Sequence, residues 1–337
     1  MADKNAERLR FFGVIKGTEK NYYIAEGKMG EGEEEEGGPE RGADFEKGTG
    51  VNEFTYWVTS SSIAPWTKLP DLEPKDIAAA RSIKVLFTGD LKREIHTNPY
   101  FFGREENYLR AQIARITHST TLSAKGFYKF TEDSVRDIED ATNPDEGEFV
   151  APTTNQMARA DMWEHQMVGI LKNCNRTTHM ESEPPEDSGI EPEDWMKAIV
   201  DKDPFDARLK PITDDKVVKI SKNTKISPWV VRLMGDATEY LDANQKTVCN
   251  GVVVVRSLQW PGSFNFYMNG RVSQIYVGNG HKYEEVSYFP VHPPTVNVDP
   301  EEYDIQPEPT PLHEPVKEVV ADEAANPDEA KGDVSDA

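Results

Sequence analysis

From Gly251 to Gly278 the chain reads GVVVVRSLQWPGSFNFYMNGRVSQIYVG, and no other stretch constrains the fold as strongly. Asn269-Gly270 between two β-branched and aromatic runs is the dipeptide that populates positive φ at both central positions of a type I′ turn, so it predicts a two-residue hairpin. The four-valine run before it predicts a further strand, buried on both faces. A second hairpin is expected over Phe11–Glu26, where two aromatic runs flank Gly17-Thr18-Glu19-Lys20. A strand over Phe54–Val58 and an extended, Pro-bounded stretch over Pro65–Pro70 continue the β pattern.

Helical spacing is confined to a few places. Pro74 suits a first helical turn, and Ile77, Ala80, Lys84 and Phe87 share a stripe that predicts a helix over 75–87. Leu109, Ile113 and Ile116 predict a second over 105–117, with Arg110 and Arg115 on its flanks. A short helix is expected at Glu193–Val200, whereas Asp133–Glu148 reads as a surface loop. Hairpins outnumber any βαβ pattern. The expected class is therefore α+β, mostly antiparallel β with a few packed helices.

Charge divides the chain. Its 337 residues carry a net charge of −22, but Glu31–Lys47 holds 8 acids against 2 bases and Asp299–Ala337 holds 13 against 2, so these contribute −6 and −11. The first is expected to be a solvated Gly/Glu loop. The second belongs to a Pro-rich, acidic, disordered tail over 291–337. Such a balance argues against a nucleic-acid surface. No run reaches the roughly 20 apolar residues of a membrane span, and the start lacks a secretory h-region, so a soluble intracellular protein is expected. Cys174 and Cys249 cannot build a disulfide framework.

Signals for chemistry are weak. His165, Cys174 and His179 lie close in sequence at no usual metal-ligand spacing. Met29-Gly30-Glu31-Gly32 and Val277-Gly278-Asn279-Gly280-His281-Lys282 resemble fragments of phosphate-cradling loops without their context. No nucleophile elbow, zinc-protease helix motif or Walker sequence is present. A rival reading is an enzyme built on the same β-rich domain with His281 or His165 as a base; no cofactor or metal is expected. Arg104, Arg110 and Arg115 form either a cationic patch or, more simply, a solvated helix face. Aromatic density is the positive signal, and Trp66, Phe101, Phe102, Trp260 and Phe264 are the candidate interface anchors.

Several segments together resemble the radial spoke head proteins of the 4/6 type, from motile cilia and flagella. They are RFFGVIKGTEKNYYIAEG (Arg10–Gly27), PWTKLPDLEP (Pro65–Pro74), AARSIKVLFTG (Ala79–Gly89), NYLRAQIARI (Asn107–Ile116), GFYKF (Gly126–Phe130), PWVVR (Pro228–Arg232), VVVVRSLQWPGSFNF (Val252–Phe266) and YVGNGHKY (Tyr276–Tyr283). The ordered set covers most of residues 10–290, while 134–214 match weakly. Nine residues precede Arg10, where the family usually carries a longer region. The resemblance implies a non-enzymatic scaffold subunit of the axonemal cytoskeleton. It also implies pairing with itself or a paralogue, contacts to other head and neck subunits, and a surface meeting central-pair projections. The rival reading is a soluble acidic adaptor that binds basic partners through its tail.

Overall fold

The computed structural model describes residues 6–29, 45–61, 63–132, 134–141, 149–185, 189–204, 208–219, 225–244 and 247–283. The acidic segment up to residue 44 and the tail lie outside them. The described residues form an α+β fold. The strands are β1 (Ala6–Ile15), β2 (Tyr22–Met29), β3 (Thr55–Thr59), β4 (Thr67–Lys68), β5 (Leu122–Ala124), β6 (Tyr128–Thr131), β7 (Ser134–Asp140) and β8 (Trp163–His165). They continue as β9 (Val218–Lys219), β10 (Lys225–Ile226), β11 (Trp229–Met234), β12 (Tyr240–Leu241), β13 (Thr247–Val248), β14 (Val252–Ser257), β15 (Ser263–Met268) and β16 (Arg271–Gly278). Helices are α1 (Pro74–Ser82), α2 (Glu105–Thr120), α3 (Thr154–Met157) and α4 (Pro192–Lys202).

Eight strands make one sheet in the order β11-β14-β15-β16-β1-β2-β3-β4, antiparallel except where β1 runs beside β16. Both predicted hairpins are present. Asn269 and Gly270 hold φ of 47° and 81° and join Met268 to Arg271. The first hairpin closes Ile15 on Tyr22 across a connection containing Gly17–Lys20.

Three expectations are corrected. The four-valine run is not buried on both faces: Val253 and Val255 are fully buried, Val252 and Val254 only partly. A run of identical side chains hides the period-2 alternation that the pleat imposes. The first helix stops at Ser82, because Ile83-Lys84-Val85-Leu86-Phe87 alternates buried with partly or fully exposed positions, an extended pattern that still delivers Phe87 to the core. Inside the expected 133–148 loop, β7 pairs antiparallel with β6.

The core sits on one side of the sheet. There α1 and α2 supply Ile77, Ala80, Leu109, Ile113 and Ile116 against Phe12, Ile15, Tyr22, Ile24 and Tyr56. A second cluster packs Met157, Trp163 and Trp229 against Val253, Val255 and Tyr267.

Candidate assembly surface

Alternation along β14, β15 and β16 sends Val253, Val255, Asn265, Tyr267 and Tyr276 inward. The intervening residues point to the other face. Registers there align Val230, Arg256, Phe264 and Ile275 in one cross-strand row and Arg232, Val254, Phe266 and Ser273 in the next. Neither core cluster includes any of these residues. Phe264 and Phe266 stack with centroids 6.3 Å apart.

Charge on this face is one-signed. The sequences of β11, β14, β15 and β16 contain three arginines, Arg232, Arg256 and Arg271, and no Asp or Glu. All three are exposed. Among the described residues none of them makes an ion pair. In a chain of net charge −22 this is a local reversal of sign, set among aromatic and aliphatic side chains.

The five predicted anchors are not all on this face. Phe264 is. Phe101 and Trp260 are 1% exposed and belong to the core of the chain itself. Trp66 (41% exposed) and Phe102 (81%) stand at the surface, Phe102 against Tyr100 with centroids 4.7 Å apart.

Arg104, Arg110 and Arg115 do not form a common patch or solvated face: only Arg104 is exposed. Arg110 is buried, with Nη2 donating to the carbonyls of Val51 (2.9 Å) and Phe54 (3.2 Å) and its guanidinium 4.7 Å over the Tyr56 ring. Arg115 donates to the Ala80 carbonyl at 2.9 Å and lies 5.3 Å over Trp260. The missed signal was tertiary: nothing local to α2 announces the carbonyls that meet these guanidiniums.

The histidines are separate. His165 Nε2 lies 2.8 Å from Asp215, a carboxylate that also accepts from the Trp229 indole. His179 donates to the Asp203 carbonyl, and the Asp203 carboxylate accepts the Cys174 backbone N–H. No three metal-ligating side chains converge among the described residues. His281 is buried, stacked on Phe87 at 5.8 Å, with neither ring nitrogen in a hydrogen bond of ordinary geometry. Burial first, then Lys84 and Arg115, pushes its pKa down to about 4. Its loop is packed, not a cradle: a Cβ on Gly280 would come within 2.6 Å of the Phe87 ring. Glu46, within the segment expected to be solvated, is buried and accepts from Val51, Thr177 and Thr178.

The sheet is thus backed by helices on one face, while the other carries exposed arginines and partly exposed aromatic rings. Comparison with known proteins gives it a family. Residues 1–47 and 42–319 match the radial spokehead-like protein family. The chain is 31% identical to human radial spoke head protein 4 homolog A over 92% of its own length and 46% of that protein. It is 31% identical to mouse radial spoke head protein 6 homolog A over 92% of the chain and 48% of the relative. With the flagellar radial spoke protein 4 of Chlamydomonas reinhardtii it shares 30% identity over 86% of the chain and 60% of that protein. The chain belongs to the radial spoke head family, whose proteins are axonemal components of cilia and flagella. It spans about half the length of the human and mouse relatives it matches. No helix among the described residues is long and apolar enough to cross a membrane.

Proposed function

We propose that this chain is a non-enzymatic structural subunit of the radial spoke head. In this reading it pairs with itself or a paralogue, joins other head and neck subunits, and contributes to the surface that meets central-pair projections and helps regulate dynein-driven motility. One observation carries the assembly role: the open face of β11, β14, β15 and β16, with Phe264 and Phe266 among three arginines that have no ion-pair partner among the described residues. A face that is apolar and singly charged fits a neighbouring subunit's surface with apolar groups and carboxylates, because opposite charge steers encounter while the rings supply area.

The test is location. A tagged chain expressed in a motile ciliated cell, followed by cryo-electron tomography of demembranated axonemes, is expected to give label density at the spoke head. Extraction into the soluble fraction with no density at spokes would overturn the proposal.

A further inference from the structure

The main sheet is zipped only partway along one seam. β1 and β16 run parallel and pair at Gly13 with Tyr276, Val14 with Val277 and Ile15 with Gly278. Continued at the same offset, the ladder would place Phe11 beside Gln274 and Leu9 beside Val272. Among the described residues those bonds are absent: Leu9–Phe11 pair with β2 alone and Arg271–Ile275 with β15 alone.

Two features of β1 account for the fork. A bulge between Phe11 and Gly13 inserts a residue relative to β2 and bends the strand. Gly13, at φ +149°, then brings the backbone so close to β16 that a Cβ would lie 1.9 Å from the Tyr276 carbonyl oxygen. The strands meet at that point and diverge beyond it.

Between them opens a cleft of about 670 Å³. Arg10 and Phe11 form one lip and Arg271–Gln274 the other, with Phe127, Phe149 and Tyr267 along the wall. Phe11 and Val272, which line it, are exposed, as is Leu9 farther along β1. Sheet edges are ordinarily covered, charged or cut short, since free N–H and C=O groups recruit another strand. Here two such edges face one gap, and among the described residues neither is paired.

We infer that the fork receives a single extended segment of another spoke subunit, added as a strand between β1 and β16. This rests on the spoke-head reading above. Backbone edges on both lips select an extended chain, which alone presents hydrogen-bonding groups along both of its own edges. Its side chains then alternate between the cleft wall, where Phe127, Phe149 and Tyr267 call for apolar groups, and the outer face. There the exposed Arg271, without an ion-pair partner among the described residues, calls for a carboxylate.

Hydrogen exchange compares the isolated full chain with the same chain in purified spoke heads. Alternate amides of Leu9–Phe12 and Arg271–Ile275 are expected to exchange at least about tenfold more slowly in the heads. Arg271→Glu should return those rates toward the free values. A photo-crosslinker replacing Val272 should label one contiguous segment of a different subunit. Unchanged exchange in a chain present in heads would overturn the fork inference and leave the proposed function standing. Crosslinking to a second copy or to the chain itself would also overturn it, and absence of the chain from heads would overturn both.

Discussion

Arginine and aromatic rings occur on both sides of the sheet, yet they are treated oppositely. On the packed side Arg110 has two carbonyls and a tyrosine face. The Glu105 carboxylate accepts from Tyr22 Oη (2.8 Å), Thr88 N (2.8 Å), Thr88 Oγ1 (2.8 Å), Gly89 N (3.0 Å) and Arg93 (3.3 Å). On the open side Arg232, Arg256 and Arg271 have no ion-pair partner among the described residues. A charge that finds its partners inside one chain, as Glu105 does and as Arg110 does through Nη2, holds that chain together. A charge left without them is available to a second molecule.

The strongest way to break this contrast is from the packed side. Glu105→Ala would strand the Tyr22 hydroxyl and the Thr88 and Gly89 amides without their acceptor. Its expected cost is about 3–5 kcal/mol, the range for removing one partner from a buried ionic network. Denaturant unfolding should show the loss as a lowered midpoint with the same slope. A midpoint shift below about 1 kcal/mol would mean the network is not a stabilising element.

Acid sharpens the same point. His118 and His281 are buried, and burial pushes each pKa down to about 4. His118 Nδ1 lies 2.7 Å from the Val168 carbonyl, with Glu46, Arg110 and Arg208 adding smaller effects, while Lys84 and Arg115 oppose a charge on His281. In the unfolded chain both titrate near 6.5, so between pH 6.5 and about 4 the unfolded state binds more protons. Stability from these groups is therefore complete above pH 6.5 and falls as pH drops, by on the order of 1–3 kcal/mol for each. His281→Phe keeps the stack on Phe87 and removes the proton site. It should match the native chain at pH 7 and lose stability less steeply toward pH 5; an unchanged pH profile would contradict the assignment.

How much of this was readable beforehand depended on whether the cause was local. Asn269-Gly270 specified its turn through its own backbone preferences, and Leu109, Ile113 and Ile116 specified α2 through spacing alone. The Ile83–Phe87 stretch shows where spacing misleads: Phe87 satisfied the helical stripe and also an alternating one, and packing chose the second. The open face was harder to see. Arg232, Arg256 and Phe264 become neighbours only through the β11–β14–β15 register, and no single strand carries the pattern. Phe264 was picked out for its aromatic character, as were Phe101 and Trp260, which the tertiary fold buries.

The smallest expected effect on stability belongs to the open face, and for that reason it discriminates best. Arg232→Glu with Arg256→Glu removes no ion pair among the described residues, so stability should change by less than about 0.5 kcal/mol. Phe264→Ser withdraws a partly exposed ring and should cost about 1 kcal/mol. Both variants should nevertheless fail to co-purify with spoke heads, and Arg256→Lys should retain much of the association because long-range attraction needs charge more than fork geometry. A double-Glu variant that folds and enters heads normally would show that the unpaired arginines are ordinary solvated charges. A variant that unfolds would show instead that the two faces of the sheet are not separable, and the division of labour drawn between them would fail.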